Sequence, residues 1–277
     1  MEPEELEPEE LELEEFVALH GPVLERNVAR HNLILGLLER AKGTTDHGYQ
    51  LWSLGAPGAC AMRTTRVGRG ILLGDVSESQ AHRLAGMTVD VDYPNVQGPD
   101  ETAKWFAAGA AKLGLRFKEP EPLRIHALER PPSRPAVPGF ARGVGPEDAA
   151  LLLDWKLAFI RDASTGDPPP TPEDIEAVIA RKRYFLWIVD GQPVAMAAMG
   201  RQMRGCGAIA PVYTLPDYRS RGFGGAITAH VVDQIFASGR PIACLYTDLS
   251  YPASNRCYEK LGFEKVCDCF VVPRDRG

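Results

Sequence analysis

The sequence predicts a mixed α/β protein in two parts, and three observations support this prediction. Strand-like and helix-like segments alternate along residues 138–277 in the manner of one complete α/β domain. A proline-rich stretch, RPPSRPAVPG at residues 130–139, interrupts the chain near its middle, where prolines fit neither a helix interior nor a central strand. The residues before it carry helix and strand patterns of their own. We therefore predict an N-terminal α/β domain at residues 16–130, a linker at 131–138 and a second domain at 139–277.

The first 15 residues, MEPEELEPEELELEE, are an acidic leader with nine glutamates and no basic residue. The whole chain of 277 residues has a net charge of −6, so the part after the leader carries +3. A glutamate block is typical of a solvated segment, and the nearly neutral remainder argues against a nucleic-acid partner. No apolar run reaches the roughly 18 residues that a membrane span needs, and the charged start is unlike a signal peptide. We expect a cytoplasmic protein without a membrane partner.

The cysteine pattern predicts reduced thiols rather than a metal site. No C-x-x-C pair occurs among the six cysteines, and no histidine lies at zinc-like spacing from two of them. Cys267 and Cys269 fall in a predicted strand, whose period of two places both thiols on one face. We expect no metal ion.

The elements of the first part follow from periodicity and glycine punctuation. Leu24 and Val28 belong to a run of apolar residues at near-helical spacing that Gly43 ends. The next three segments, YQLWSLG, GACAMRTTRV and GILLGDV, are strand candidates. Ser77 is a candidate N-cap for the helix SESQAHRLAGM. A second helix, GPDETAKWFAAGAAKLG, and a strand, LRIHALE, complete the series.

The second part continues the alternation. The strand FARGV precedes the helices PEDAALLLDWKLAFIRDA and EDIEAVIARKR, which the break GDPPPTP separates. Three strands follow, YFLWIVD, PVAMAAMGRQ and GAIAPVYTL. A glycine-rich turn then leads into a helix whose apolar stripe runs from Phe223 to Ile235 and which Gly239 stops. The strand PIACLYTD, the short helix PASNRCYEKLG and the strand FEKVCDCFVV end the sequence.

The glycine-rich turn, PDYRSRGFGGA at residues 216–226, has the features of an anion cradle. A helix start presents unpaired N–H groups and a positive dipole end, glycines admit a ligand closely, and arginine forks suit phosphate oxygens. A pyrophosphate fits these features best. A P-loop would need Lys and Ser/Thr after its second glycine, and a dinucleotide fingerprint would need Gly or Ala where Ile227 stands. A glycine-rich connector with solvated arginines is the remaining alternative.

Two motifs resemble the GNAT family of N-acetyltransferases. RSRGFG at residues 219–224 matches the R/Q-x-x-G-x-G/A signature of that family, and NRCYEKLGF at 255–263 resembles its second hallmark. The order of elements over residues 138–277 is also similar to the family fold. The resemblance implies a GNAT-type mixed central sheet flanked by helices. The whole chain resembles a bacterial two-part member whose first half is a second, degenerate or companion, GNAT-like α/β unit.

The resemblance implies acetyl-CoA as co-substrate. Its pantetheine arm would run beside the strand PVYTL and pair with Val212 and Thr214, where the strand amides would also steady an oxyanion. Tyr213 flanks the cradle, and Asn255 would be an amide partner of the cofactor. The pyrophosphate would lie on the backbone of the turn and helix start, formed by Arg219, Arg221, Gly222, Phe223, Gly224, Gly225 and Ala226.

The same resemblance makes Tyr258 the general acid that protonates the leaving thiolate, with a packing aromatic as the alternative. The general base stays open. Asp248 ends a predicted strand and is either that base or a turn residue whose carboxylate caps local N–H groups. Since no Cys–His or Ser–His arrangement is evident, we expect direct attack in a ternary complex.

The acceptor is expected to be an amine of a small molecule or protein. Asp162, Asp167, Glu173 and Asp174 make the region after the first helix of the second part acidic, which suits a cationic amine, although solvated surface charge explains them equally well. The competing functions are a non-catalytic acyl-CoA sensor and a transferase of another acyl group. The N-terminal half lacks an R-x-x-G-x-G motif, so we expect one cofactor site per chain. Formation of a homo-oligomer stays open.

Overall fold

The computed structural model describes residues 7–44, 48–65, 69–163 and 168–277. The chain divides into two compact units. The first contains Met1–Ile125, Thr247–Ser250 and Lys265–Gly277, and the second contains His126–Tyr246 and Tyr251–Glu264. The first unit therefore includes residues from the end of the sequence. The domain limits given above stay a prediction.

The elements up to residue 128 comprise four helices and six strands in the described residues. The helices are α1 (Leu13–Leu24), α2 (Asn32–Ala41), α3 (Glu78–Met87) and α4 (Thr102–Ala111). The strands are β1 (Glu9–Glu10), β2 (Tyr49–Ser53), β3 (Cys60–Thr64), β4 (Ile71–Leu73), β5 (Asn95–Pro99) and β6 (Glu121–Leu128).

The later elements comprise four helices and six strands, again within the residues that the structure describes. The helices are α5 (Ala149–Ala163), α6 (Pro172–Ala180), α7 (Phe223–Ala237) and α8 (Pro252–Leu261). The strands are β7 (Phe140–Gly143), β8 (Tyr184–Val189), β9 (Gln192–Met203), β10 (Cys206–Thr214), β11 (Ile242–Asp248) and β12 (Glu264–Pro273). None of these helices is both long and apolar enough to cross a bilayer.

The first unit departs from the sequence-based expectation at its start. The near-helical apolar spacing up to Gly43 predicts one helix, whereas the structure has two, α1 and α2, with a 3₁₀ turn at Glu25–Asn27 between them. Part of the acidic leader is ordered, because β1 pairs with β2 and the Leu11 N–H donates to the Leu51 carbonyl oxygen at 2.9 Å. The predicted Ser77 cap is confirmed: its hydroxyl accepts from the Gln80 N–H at 3.3 Å. Residues 1–6 of the leader lie outside the described residues.

The strands of each unit follow a similar plan. In the first unit their order is β1-β2-β3-β4-β5-β12, with β4 parallel to β5 and the other pairs antiparallel. In the second unit β7, β8, β9 and β10 pair antiparallel in turn, and β10 is parallel to β11. In both units a helix, α3 or α7, connects the parallel pair. Whether the first unit is a degenerate copy stays a prediction.

The second unit has an apolar cluster on each face of its sheet. Along β9, Ala195 and Ala197 pack with α7 residues, whereas Met196 between them packs with residues of α5 and α6. This alternation follows from the period of two in a strand. The predicted α7 stripe is confirmed, since Phe223, Ile227, Val231 and Ile235 are at most 2% exposed. Each such side chain contributes about 1.5–3 kcal/mol through burial, which fixes the helix whose start forms the candidate site.

Candidate functional site

Strand β10 leaves one of its edges open beyond Ala208. It pairs with β11 only from Cys206↔Ile242 to Ala208↔Cys244, whereas its pairing with β9 continues to Thr214↔Ala195. Within the described chain, no β11 partner faces the last residues of β10. The two parallel strands therefore separate just where the sequence predicted a strand that binds a ligand through its backbone.

The backbone direction shows which amides line this opening. The Leu215 N–H donates to the Val194 carbonyl oxygen of β9 at 3.1 Å. Because successive residues of a strand direct their N–H groups to opposite edges, the N–H groups of Val212 and Thr214 point away from β9. Two strand amides are thus available on the open edge.

The start of α7 adds further donors. Gly222 is its N-cap, with φ of +88°, and the first intrahelical bond runs from the Ala226 N–H to the Gly222 carbonyl oxygen at 3.0 Å. The amides of residues 223–225 precede this bond and have no helical acceptor. Glu and Asp are absent from the first turn of α7, so the positive end of the helix dipole is not neutralised there. The Ala226 amide itself is used within the helix.

The glycines of the turn allow close packing around the helix start. A Cβ at Gly222 would lie 2.9 Å from Val137 Cγ1, and one at Gly224 would lie 3.1 Å from Thr214 Oγ1. A side chain at either position would intrude on a neighbour. The Thr214 hydroxyl therefore lies against the helix start. The contact with Val137, in the proline-rich stretch, is not signalled by any pattern in the sequence.

The proline-rich stretch is ordered within the second unit. The Ser133 N–H donates to the Leu261 carbonyl oxygen at 2.9 Å, and the Trp187 Nε1–H donates to the Pro138 carbonyl oxygen at 3.0 Å. Arg134 pairs with Asp233 of α7 at 2.7 Å. Residues 133–138 thus form one wall beside α7.

Arg219 is anchored on two sides. Its Nε–H donates to the Thr214 carbonyl oxygen at 3.1 Å, and its Nη2 lies 2.7 Å from Asp162 Oδ2 at the end of α5. The hydrogen bond from Arg219 lowers the pKa of the Asp162 carboxyl. Among the described residues, Nη1 of Arg219 has no acceptor. One edge of the guanidinium is therefore fixed by the protein while the other can receive an anion.

Arg221 is the less constrained cation. Its guanidinium carbon lies 5.1 Å from the centre of the Tyr218 ring and 5.3 Å from that of Phe223. No carboxylate in the described part of the chain lies within 4 Å of it. The charge of Arg221 at the start of α7 is therefore uncompensated by protein, as an anion site requires.

Tyr258 lies on α8 with its ring against the core of the second unit. The ring makes an edge contact with Phe263 at 6.0 Å between centroids. Burial raises the pKa of the Tyr258 phenol well above its usual value, so the group stays protonated at neutral pH. Its packing agrees with the aromatic alternative, and its protonation agrees with the acid role. The structure is therefore compatible with Tyr258 as a packing residue and with Tyr258 as a general acid.

Asn255 and Asp248 are held by local contacts. Asn255 is 8% exposed, and its Nδ2 donates to the Tyr251 carbonyl oxygen one helical turn earlier at 3.1 Å. Asp248 Oδ1 accepts from the Ser250 N–H at 2.7 Å and from the Ser250 hydroxyl at 2.6 Å. The second pattern is that of a turn carboxylate, which was the alternative to a general base.

The acidic residues expected near the acceptor also have local partners. Asp162 binds Arg219, and Asp174 accepts from the Thr171 N–H at 2.9 Å in the capping box of α6. Glu173 lies in the same first turn, where a backbone N–H lowers the pKa of its carboxyl. Asp167 lies outside the described residues. These contacts favour a structural reading of the acidic segment over amine recognition.

The cysteines and possible metal ligands of the described residues do not form a second candidate site. Cys267 and Cys269 are both buried, 4% and 2% exposed, as expected for neighbours on one face. Burial raises the pKa of the Cys257 thiol, which lies near Gly225 at the start of α7. In the described ranges, no three His, Cys, Asp or Glu side chains lie close enough together to hold a metal ion.

Comparisons with known proteins found one family model and several solved structures that this chain resembles. The model of the acetyltransferase (GNAT) family matches residues 152–263, which include the glycine-rich turn and α8. A GCN5-related N-acetyltransferase from Sphaerobacter thermophilus is 18% identical, with a TM-score of 0.66 over 99% of this chain and 96% of that chain. One from Kribbella flavida is 19% identical, with a TM-score of 0.55 over 79% and 86%. No curated protein matches the chain.

A Drosophila protein with an X-ray structure is also similar, at 13% identity and a TM-score of 0.69 over 96% of this chain and 98% of that chain. At such identities the solved structures show the fold alone. The predicted mixed α/β fold of GNAT type is confirmed, and the match to the acetyltransferase (GNAT) family model is confined to residues 152–263.

Proposed function

We propose that the protein is an acetyl-CoA-dependent N-acetyltransferase that transfers the acetyl group to an amine by direct attack in a ternary complex. One observation carries the proposal: the open edge of β10 and the unpaired amides of the α7 start belong to adjoining segments. An extended ligand with a diphosphate at one end needs both. The four residues of β10 and the turn that matter most are Val212, Thr214, Arg219 and Arg221.

In this proposal the amides of residues 223–225 and the Arg221 guanidinium hold the diphosphate. Arg219 offers its outer edge to the same group. The Ala226 amide is already bonded to the Gly222 carbonyl oxygen and does not donate to the diphosphate. Its small side chain leaves room for the ligand. The amides of Val212 and Thr214 pair with the pantetheine arm as an added strand would. Acetyl-CoA supplies the thioester that the amine attacks.

Tyr258 acts as the general acid in the proposed reaction. The amine nitrogen bonds to the thioester carbonyl carbon, and a β10 amide donates to the resulting oxyanion. The carbon–sulfur bond then breaks, and the Tyr258 hydroxyl gives its proton to the departing thiolate. The proton that the amine loses passes to water, from which Tyr258 is reprotonated. Asn255 supports this arrangement by fixing the first turn of α8.

The acceptor is proposed to be a primary amine of a small molecule or of a protein. The described acidic residues of the α5–α6 segment have local partners, so they do not define its charge. A transferase of a longer acyl group would use the same diphosphate and pantetheine contacts. Competition between acyl-CoA esters of different chain length distinguishes these two cases.

A non-catalytic acyl-CoA sensor is the second candidate, and the Asp248 contacts favour it. With its carboxylate bonded to Ser250, Asp248 is less suited to be a base. A sensor would keep the α7 cradle without needing Tyr258. It would bind acetyl-CoA tightly and release no free thiol with any amine.

Calorimetry with acetyl-CoA, followed by a thiol-release assay over a panel of amines, tests the proposal. We expect binding that Arg221→Ala weakens about tenfold, because a charge-assisted contact to phosphate is lost. Arg181→Ala, at the exposed C-terminal end of α6, is the matched control and should bind like the wild type. Absence of binding by the wild-type protein would refute the proposal. Binding without thiol release would favour the sensor.

A further inference from the structure

A concave site lies at the C-terminal end of α7. The cavity has a volume of about 400 Å³ and is lined by the two residues before β8, the second half of β9, the end of α7 and the turn after α7. Since α7 has 15 residues, this end lies about 21 Å from the helix start, at 1.5 Å per residue. The cavity is therefore separate from the proposed cofactor site. Its lining includes Lys182, Arg183, Gln202, Gln234, Ser238 and Arg240.

The charged side chains that line this cavity are all positive. Lys182, Arg183 and Arg240 are cations, and none of the eight lining residues is acidic. In the part of the chain that the structure describes, no carboxylate lies within 4 Å of any of the three. Three uncompensated cations around one concavity concentrate positive potential there. The Ser238 hydroxyl already donates to the Ile235 carbonyl oxygen, and Gln202 Nε2 to those of Gly200 and Arg201. Of the neutral polar lining, the Gln234 carboxamide is therefore the donor left for a ligand.

Arg240 is held in place before any ligand binds. Its Nε–H donates to the Met203 carbonyl oxygen at 3.1 Å, and its Nη1 donates to the Ser238 hydroxyl at 2.8 Å. Its Nη2 has no acceptor among the described residues, so two N–H groups of a fixed guanidinium remain for a ligand. A fixed arginine loses less conformational freedom on binding than a mobile one.

Hydrogen bonds at the C-terminal end of α7 reduce the repulsion that unpaired carbonyl groups would exert on an anion. The Ser238 N–H donates to the Gln234 carbonyl oxygen, the Gly239 N–H to that of Phe236, and the Ser238 hydroxyl to that of Ile235. These bonds give the carbonyl groups of Gln234, Ile235 and Phe236 donors at the end of the helix. The adjacent Arg240 side chain also donates to the Ser238 carbonyl oxygen at 3.5 Å.

We propose that this basic cavity binds a small molecule that carries a diphosphate or longer phosphate chain. The three cations match several phosphate oxygens at once, and the volume lies within the range of small-ligand pockets. A polar, charged lining does not suit an apolar ligand. The site does not depend on the proposed acetyltransferase function, because none of its residues belongs to the α7 start.

Titration with inorganic diphosphate, followed residue by residue with amide NMR shifts, tests this site. We expect saturable shifts of the side-chain amides of Gln202 and Gln234. The double variant Lys182→Asn, Arg183→Gln should weaken that binding about tenfold, by removing two charges. Asparagine suits position 182, where φ is +54°, so the fold is retained. Parallel titrations with ADP and inorganic phosphate show whether a nucleoside or a single phosphate suffices.

The controls separate the two sites. Arg221→Ala should leave the shifts of Gln202 and Gln234 unchanged, while it reduces any shifts at Gly224 and Gly225. Arg240→Lys, which retains the charge but loses the fork, should weaken diphosphate binding at the basic cavity less than the double variant does. Absence of shifts at Gln202 and Gln234, or equal affinity in wild type and double variant, would overturn the inference. Neither result would bear on acetyl-CoA binding at the α7 start.

Discussion

Asp162 and Arg219 form an ion pair of 2.7 Å between Oδ2 and Nη2, although they lie 57 positions apart in the sequence. The pair connects the end of α5 to the turn before α7. Arg219 is also bonded to the Thr214 carbonyl oxygen, so the open edge of β10, the turn and α5 meet at one guanidinium. The C-terminal end of α5 is thereby connected to the proposed cofactor site.

Asp162→Asn should weaken acetyl-CoA binding about two- to fivefold, because an exposed ion pair contributes little and only positions Arg219. Calorimetric dissociation constants measure the change. Asp154→Asn, an exposed residue of the same helix, should have no effect. In the Arg219→Gln background the Asp162 substitution should lose its effect, and a fully additive double variant would contradict the positioning role.

Tyr258→Phe should lower kcat at least about tenfold and leave the acetyl-CoA dissociation constant nearly unchanged, since only the proton donor is lost. Because burial raises the pKa of the Tyr258 phenol, the pH dependence of kcat tests its role as the acid. The acid form is the active one, so this group should cause no loss of kcat between pH 6 and pH 9. An unaltered turnover rate in the variant would remove Tyr258 from the mechanism and leave it a packing residue.

Gly222→Ala should destabilise the fold by about 1–2 kcal/mol through its left-handed backbone, with a further loss from the contact with Val137. Gly239 is the matched control. It ends the same helix with φ of +81°, and a Cβ there would meet nothing within 4 Å. Chemical denaturation should therefore show a larger loss for Gly222→Ala than for Gly239→Ala. Equal losses would show that the Val137 contact relaxes at no cost.

Acid should destabilise the first unit through His20. This side chain is fully buried, its Nδ1 accepts from the Gly58 N–H at 3.0 Å, and burial lowers its pKa from 6.5 to about 4. The folded state thus disfavours the protonated imidazole. As the pH falls from 6.5 towards 4, the unfolded state takes up the proton first, and the free energy of unfolding should drop by up to about 3 kcal/mol.

Urea denaturation at pH 7 and pH 4.5 measures this drop. His20→Gln should reduce the difference between the two pH values, whereas His82→Gln, at a partly exposed position of α3, should not. If both variants kept the wild-type difference, another group would be responsible for the acid sensitivity.

The sequence predicted those parts of the fold that local patterns determine. The α7 stripe from Phe223 to Ile235, the Ser77 cap and most strands follow from periodicity and punctuation. Strands β1 and β5 were missed, because two- and five-residue strands with Pro or Gly nearby show too little alternation to be recognised. The break between α1 and α2 was also missed, since apolar spacing continues across the 3₁₀ turn.

The sequence allowed the exposed backbone amides of the candidate site to be predicted, but not the tertiary contacts of its side chains. Glycine and arginine at a strand–helix junction predict exposed amides, because helix starts always leave N–H groups unpaired. The bond from Arg219 to Asp162 and the approach of Val137 to Gly222 depend on tertiary packing between distant segments, which no local pattern records. The same holds for the end of the β10–β11 pairing at Ala208.

Strand β12 has a consequence for how the protein is made. It pairs with β5 through Cys269↔Pro99 to Pro273↔Asn95, about 170 positions away in the sequence. During synthesis β5 therefore lacks this neighbour until the whole of the second unit has left the ribosome. Such distant pairing slows folding and prolongs the exposure of the unpaired edge of β5, which can pair with other chains. Chaperones should therefore matter most for the first unit.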